Sequence, residues 1–111
     1  NTPIVLTIEA NNGMGTPPTQ TFTLTVLEAA HITSTTTSAT FIAGSNTNSF
    51  TFQAAGTPGT FNWTTSSVLP NGVTLNATTG ELSGNPTAGT GGIYQIAVNV
   101  SNGVGAVDTQ T

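Results

Sequence analysis

Ile96-Ala97-Val98-Asn99-Val100-Ser101-Asn102-Gly103-Val104-Gly105 is an alternating apolar run that breaks into an Asn-Gly turn. Apolar side chains at every second position put Ile96, Val98 and Val100 on one face of a strand, and Asn102-Gly103 suits a hairpin. The same passage occurs 90 positions earlier. Asn102, Gly103, Gly105, Thr109, Gln110 and Thr111 match Asn12, Gly13, Gly15, Thr19, Gln20 and Thr21, while Ile96, Val98 and Val104 match Leu6, Ile8 and Met14. A period of this length marks a string of similar modules. The chain therefore reads as the tail of one module, residues 1–30, followed by a second module, residues 31–111.

Beyond the shared passage the two copies diverge. The first continues into Thr21-Phe22-Thr23-Leu24-Thr25-Val26, an alternating strand, whereas the second stops at Thr111, where that strand is expected to begin. The expectation is a 31–111 module one strand short, with residues 21–26 as the donor strand of a neighbouring unit.

Outward from this passage, short alternating runs are separated by turn residues throughout, and nothing reads as a helix. Ile4–Ile8 and Phe22–Val26 form a hairpin around Asn11-Asn12-Gly13. Leu27–Ala30 is a short link. Thr40-Phe41-Ile42, Asn48–Phe52, Phe61-Asn62-Trp63, Val73-Thr74-Leu75, Leu82-Ser83 and the long Tyr94–Val100 run supply the strands of the second module. The Gly-, Pro- and Asn-bearing stretches at 56–59, 70–72, 79–80, 84–86 and 89–92 supply its turns. The predicted core is Ile32, Phe41, Phe50, Phe52, Trp63, Leu69, Val73, Leu75, Leu82, Tyr94, Ile96, Val98 and Val100. Six strand-like segments fall in this module, against the seven of a closed immunoglobulin-like sandwich.

Composition narrows the function. The 111 residues contain no Lys or Arg, no Cys, one His and four acids, for a net charge of −4. Phosphate backbones and anionic membrane surfaces are bound through basic side chains, so neither nucleic acid nor a membrane is an expected partner. No apolar run is long enough for a membrane span. Without cysteine there is no disulfide framework and no thiolate metal site. A Thr-, Ser-, Asn- and Gly-rich surface points to an extracellular β-protein, since Thr suits a half-exposed pleat.

A passage of ordered motifs carries a resemblance. Leu69-Pro70-Asn71-Gly72-Val73-Thr74-Leu75, then Thr79-Gly80-Glu81-Leu82-Ser83-Gly84-Asn85-Pro86, then Gly92-Ile93-Tyr94, then Ser101-Asn102-Gly103-Val104-Gly105 resemble the immunoglobulin-like repeat of bacterial surface proteins, related to dystroglycan-type cadherin-like domains. Asn85 stands where that family usually has Thr, and the family's Phe-Thr-Leu-Thr-Val strand occurs only at 22–26. The resemblance implies a non-catalytic spacer or adhesion module used in tandem on cell surfaces. The expected fold is all-β, an immunoglobulin-like Greek-key sandwich whose final strand is supplied in trans or by the next repeat.

Candidate sites are few. His31 is the sole histidine and has no triad or dyad spacing to a carboxylate, so catalysis is not expected and His31 reads as a solvated linker residue. Cofactors are not expected. Calcium prefers clustered carboxylates, and no Asp-x-Asp pattern occurs; the alternative is that Glu9, Glu28 and Asp108 meet near a module junction with backbone carbonyls assisting. Asn62, Asn76 and Asn99 head Asn-x-Ser/Thr sequons, candidate glycan sites against a background of plain polar surface; Thr33–Ser38 is a candidate for O-linked glycans. Trp63 is expected in the core, the rival being a sugar-stacking platform. Two functions are compatible with these features. One is an extracellular structural repeat of a filament, stalk or sheath, assembling head to tail with copies of itself by strand complementation. The other is a carbohydrate- or receptor-binding module of an adhesin, marked by an exposed aromatic cleft around Trp63.

Overall fold

The computed structural model describes residues 3–111, so Asn1 and Thr2 of the expected 1–30 segment lie outside the described residues. The described chain is all-β. Strands β1 (Ile4–Glu9) and β2 (Thr19–Leu24) form the predicted hairpin. They are followed by β3 (Glu28–Ile32), β4 (Asn48–Thr51), β5 (Ala54–Thr57), β6 (Asn62–Thr65), β7 (Val73–Leu75), β8 (Glu81–Gly84), β9 (Val98–Ser101) and β10 (Asp108–Gln110). All pairings are antiparallel. Beyond the hairpin the sheets have the orders β4-β8-β7 and β10-β9-β6, with β3 paired to β5. The non-sequential orders are those of a Greek-key sandwich.

The core follows the alternation. Val98 and Val100 of β9 are completely buried, with Asn99 between them half-buried, and Trp63 on β6 is 3% exposed between exposed Asn62 and Thr64. Ala30 joins them, and Ile32, Phe52, Ala54, Phe61, Leu75 and Ile96 pack around the cluster. Val73 and Leu82 are the buried members of the β4-β8-β7 sheet. The Phe52 ring lies edge-on to Phe50 at 4.9 Å and tilted toward the Trp63 indole at 6.0 Å, so aromatic packing links the two layers. Trp63 is roofed by the 76–80 turn. Asn76 Oδ1 accepts from the amides of Thr78 and Thr79, the Trp63 backbone N–H donates to Ala77 O, and Gly80 adopts φ +75° directly over the indole. A Cβ on Gly80 would come within 2.7 Å of the ring.

The hairpin stands apart from this sandwich. The radius of gyration is 22.5 Å and the longest extent 83 Å, against roughly 13 Å for a compact chain of this length. Every described residue of β1 and β2 is exposed.

Four expectations need correction. Residues 28–30, read as link, begin β3: Glu28 pairs with Thr57, and small Ala29 and Ala30 fit beneath neighbouring strands. His31 accordingly lies on a strand, exposed and opposite Ala55, rather than in a linker. Thr40-Phe41-Ile42 is not a strand, because the Asn48 side chain takes up the Ile42 backbone from both sides, accepting from its N–H at 2.8 Å and donating to its C=O at 2.9 Å. Tyr94 is 41% exposed, and the long run enters the ladder only at Val98. Among the described residues no strand lies across from Tyr94.

Candidate assembly surface

The two copies of the repeated passage can be compared inside one molecule. In the hairpin Ile8 faces Gln20, Leu6 faces Phe22 and Ile4 faces Leu24. In the sandwich Val98 faces Gln110 and Val100 faces Asp108. Shifting the hairpin pairs by 90 positions turns Ile8–Gln20 into Val98–Gln110, so the two ladders share one register. The turns agree as well: Gly13 and Gly15 have φ +80° and +69°, Gly103 and Gly105 +80° and +64°. Carried one step further, the register assigns Ile96 the partner that Leu6 finds in Phe22, and Tyr94 the partner that Ile4 finds in Leu24. In the sandwich those places are open. β10 aligns residue for residue with the first part of β2.

The unpaired segment borders a groove of about 530 Å³. Its walls include Phe41, Phe50, Val73, Leu82, Tyr94 and Ile96, and Gln110 and Thr111 stand at its margin. The groove runs along the 94–96 segment between that segment, the 36–41 loop and the β4-β8-β7 sheet, with Gln110 and Thr111 among its lining residues. Side chains rather than a ladder hold the neighbouring backbone. Ser67 Oγ accepts from Ala97 N–H at 2.9 Å, Thr65 Oγ1 donates to Ala97 O at 2.7 Å, and Tyr94 OH donates to Thr90 O at 2.6 Å. Ile93, 93% exposed, has nothing over it.

The hairpin carries an exposed apolar face. Directly opposed residues share a face of a sheet, so Ile4, Leu6, Ile8, Phe22 and Leu24 form one apolar face, with Phe22 48% and Leu24 42% exposed. Of the expected donor residues Thr21, Phe22, Thr23, Leu24, Thr25 and Val26, the first four lie in β2 and the last two come after it, Val26 being exposed.

Asn102 shows what an Asn-Gly turn does in a finished environment. Its Oδ1 accepts from the amides of Ala30 (3.1 Å) and Val104 (3.2 Å), and its Nδ2 donates to Glu28 O (2.8 Å) and Pro58 O (3.0 Å). One side chain thus fastens the start of β3 to the β9–β10 turn. Asn12 makes the corresponding turn bond, accepting from Met14 N–H at 3.0 Å. The motif by itself assigns this Asn only to the turn, and nothing in the local pattern signals its reach to residues 72 and 74 positions away.

The remaining candidates are scattered. Asp108 Oδ2 accepts from Ile32 N–H at 2.7 Å, and among the described residues no group of three or more His, Cys, Asp or Glu side chains is placed to hold a metal. Trp63 is buried beneath Gly80 and presents no stacking face to a sugar. Asn62 is exposed on β6, Asn76 is engaged in its turn, and Asn99 accepts from Thr109 Oγ1 at 2.7 Å. No helix among the described residues is long and apolar enough to cross a membrane.

Comparison with known proteins agrees with this architecture. The family model described as "Putative Ig domain" matches residues 29–111. The chain belongs to this immunoglobulin-like family. The match takes in most of the chain and begins within β3, leaving the hairpin outside it. No curated protein and no solved structure matches the chain.

Proposed function

We propose that this immunoglobulin-like chain is a non-catalytic structural repeat of an extracellular filament, stalk or sheath, joined head to tail by β-strand complementation. The 31–111 module takes the end of its last strand from the next unit, a separate subunit or the following repeat, and the 1–30 hairpin belongs to the preceding one. The observation that carries this reading is the shared register. The groove lies beside Tyr94–Ala97, the positions that the shared register would set opposite residues equivalent to Phe22 and Leu24, and the same chain carries those residues on an exposed apolar face. An unpaired edge above an open apolar groove favours strand addition. Because donor and acceptor surfaces differ, each unit keeps one of each free, which extends a line rather than closing a pair. The absence of Lys and Arg leaves trypsin-like proteases nothing to cut, which suits an external polymer. Any N-linked glycan on such a surface belongs at Asn62, the sequon whose side chain is exposed and uncommitted.

Size-exclusion chromatography with light scattering tests this. The chain is expected to form concentration-dependent oligomers, and Phe22→Asp with Leu24→Asp to hold it as a monomer while leaving the 28–110 sandwich folded. A parent chain that stays monomeric at millimolar concentration, or a double variant with an unchanged profile, contradicts assembly through β2.

A further inference from the structure

Asn-Gly pairs occur at 12–13, 71–72 and 102–103, and the structure gives them different surroundings. At Asn102 the side-chain amide is held from both ends: Oδ1 accepts from Ala30 and Val104 N–H, and Nδ2 donates to Glu28 O and Pro58 O. At Asn71 the main chain is held instead. Thr87 N–H donates to Asn71 O, Asn85 N–H to Gly72 O and Val73 N–H to Pro70 O, each at 3.0 Å, and a Cβ on Gly72 would overlap Asn85 O. Asn12 has neither restraint. It is exposed, its Nδ2 has no hydrogen-bond partner among the described residues, and a Cβ on Gly13 would meet nothing. The turn supplies bonds of its own: Met14 N–H donates to Asn12 Oδ1 at 3.0 Å, and Gly13 N–H to Asn11 Oδ1 at 2.7 Å. The first of these repeats the bond from Val104 N–H to Asn102 Oδ1, so the two turns share their local geometry and differ in what surrounds them.

We infer that Asn12-Gly13 is a self-modifying site, where the hairpin turn converts to aspartate and isoaspartate with water as its only co-reactant. The Gly13 backbone nitrogen bonds to Asn12 Cγ, the Cγ–Nδ2 bond breaks, and ammonia leaves with the proton that the Gly13 nitrogen gives up. The product is a cyclic imide. Water then adds its hydroxyl to either imide carbonyl and returns a proton to the nitrogen released, leaving Asp or isoAsp at position 12. Glycine after the Asn leaves the attacking nitrogen unshielded. Both turn bonds favour the step: Met14 N–H stabilises the charge that develops on Oδ1, and Asn11 Oδ1 sits on the proton that has to go. At Asn102 the departing Nδ2 is anchored to two carbonyls, and Cγ can turn toward the Gly103 nitrogen only when its bonds are broken. A net hydrogen bond is worth a factor of about 2 to 12 in an opening equilibrium, so four of them hold Asn102 back about thirtyfold or more. The conversion adds one negative charge to a chain whose net charge is −4, and isoaspartate threads an extra carbon into the main chain of the loop joining β1 to β2. Chemical ageing is thereby concentrated at the tip of the hairpin that carries residues 21–26.

Incubation of the chain in mildly alkaline buffer, followed by site-resolved mass spectrometry, tests this; with no Lys or Arg in the chain, the peptides come from a protease that cuts at apolar residues. Asn12 should deamidate about thirtyfold faster than Asn102, or more, and faster than Asn71. Enzymatic methylation specific for isoaspartate should label the peptide that contains Gly13. In urea, which removes the tertiary bonds, the three rates should converge. Asn12→Gln should abolish the fast product and leave the rates at Asn71 and Asn102 as they were. An Asn12 rate no faster than that of Asn102 in the folded chain overturns the inference, as does a gap of the same size in urea. The reaction needs no second chain, so its rates are read whether or not β2 assembles, and failure of either idea is recognised separately.

Discussion

Extending the chain after Thr111 by Phe-Thr-Leu-Thr-Val, the sequence of residues 22–26, should stabilise the sandwich without any partner. In the common register the added Phe falls opposite Ile96 and the added Leu opposite Tyr94, both facing the groove. Burying Phe, Leu and Val contributes roughly 1.5 to 3 kcal/mol per side chain. About four new ladder bonds add roughly 0.5 to 1.5 kcal/mol each. Against this, ordering five residues costs about 1 to 2 kcal/mol apiece. The difference is on the order of 3 kcal/mol in favour of the extended chain, which at about 4 to 8 °C per kcal/mol for a domain of this size predicts a Tm higher by roughly 10 to 20 °C. Thermal unfolding followed by circular dichroism reads the shift, and hydrogen exchange should show new protection at the amides of Tyr94 and Ile96, since Ala97 N–H is already held by Ser67. A control extension of Ser-Thr-Ser-Thr-Ser should leave the Tm in place. A Phe-Thr-Leu-Thr-Val extension that behaves like the control would refute the reasoning, since it would mean that the groove is not the seat of this strand.

Three further outcomes rest on individual side chains. Gly80→Ala combines a positive φ with a Cβ pressed on Trp63; denaturant unfolding should show a loss of about 2 to 5 kcal/mol, summing backbone strain and overpacking. Asn102→Ala removes four hydrogen bonds that join β3, the Pro58 loop and the β9–β10 turn, and should cost the sandwich about 2 to 4 kcal/mol. Asn12→Ala removes only a turn bond in the hairpin and should leave sandwich unfolding unchanged. Asn48→Ala frees the Ile42 backbone, so hydrogen exchange at Ile42 should accelerate by about tenfold or more, the factor that corresponds to the loss of about 1.4 kcal/mol of local stability.

Much of the architecture is legible because it obeys short-range rules. Val98 and Val100, Trp63, Val73 and Leu82 are buried where period-two alternation puts them, and the hairpin forms around the Asn-Gly turn as its motif requires. The features that escape are non-local. β5, Ala54-Ala55-Gly56-Thr57, has no apolar alternation because its small residues serve close approach: a Cβ on Gly56 would lie 3.0 Å from the backbone of Ala29 and Ala30. β3 is hidden for the same reason, its Ala29-Ala30 reading as a link. Thr40-Phe41-Ile42 has the pattern of a strand, but Asn48, six residues on, takes its backbone. Tyr94 belongs to the same alternating run as Val98, but burial depends on what lies across from it, and alternation is silent about a partner. For the candidate surface, the 90-residue repeat points to residues 21–26 directly. The register that matches them to Ile96 and Tyr94, and the second duty of Asn102, need coordinates.

The pairing itself is open to direct observation, because paired antiparallel residues place their Cα atoms within disulfide range. Phe22→Cys in one chain and Ile96→Cys in another should, on mixing under mild oxidation, give a disulfide-linked heterodimer in high yield, while Thr23→Cys with Ile96→Cys, one position out of register, should not. No link at 22/96, or equal yields for both pairs, would contradict a sandwich completed by the β2 strand of its neighbour.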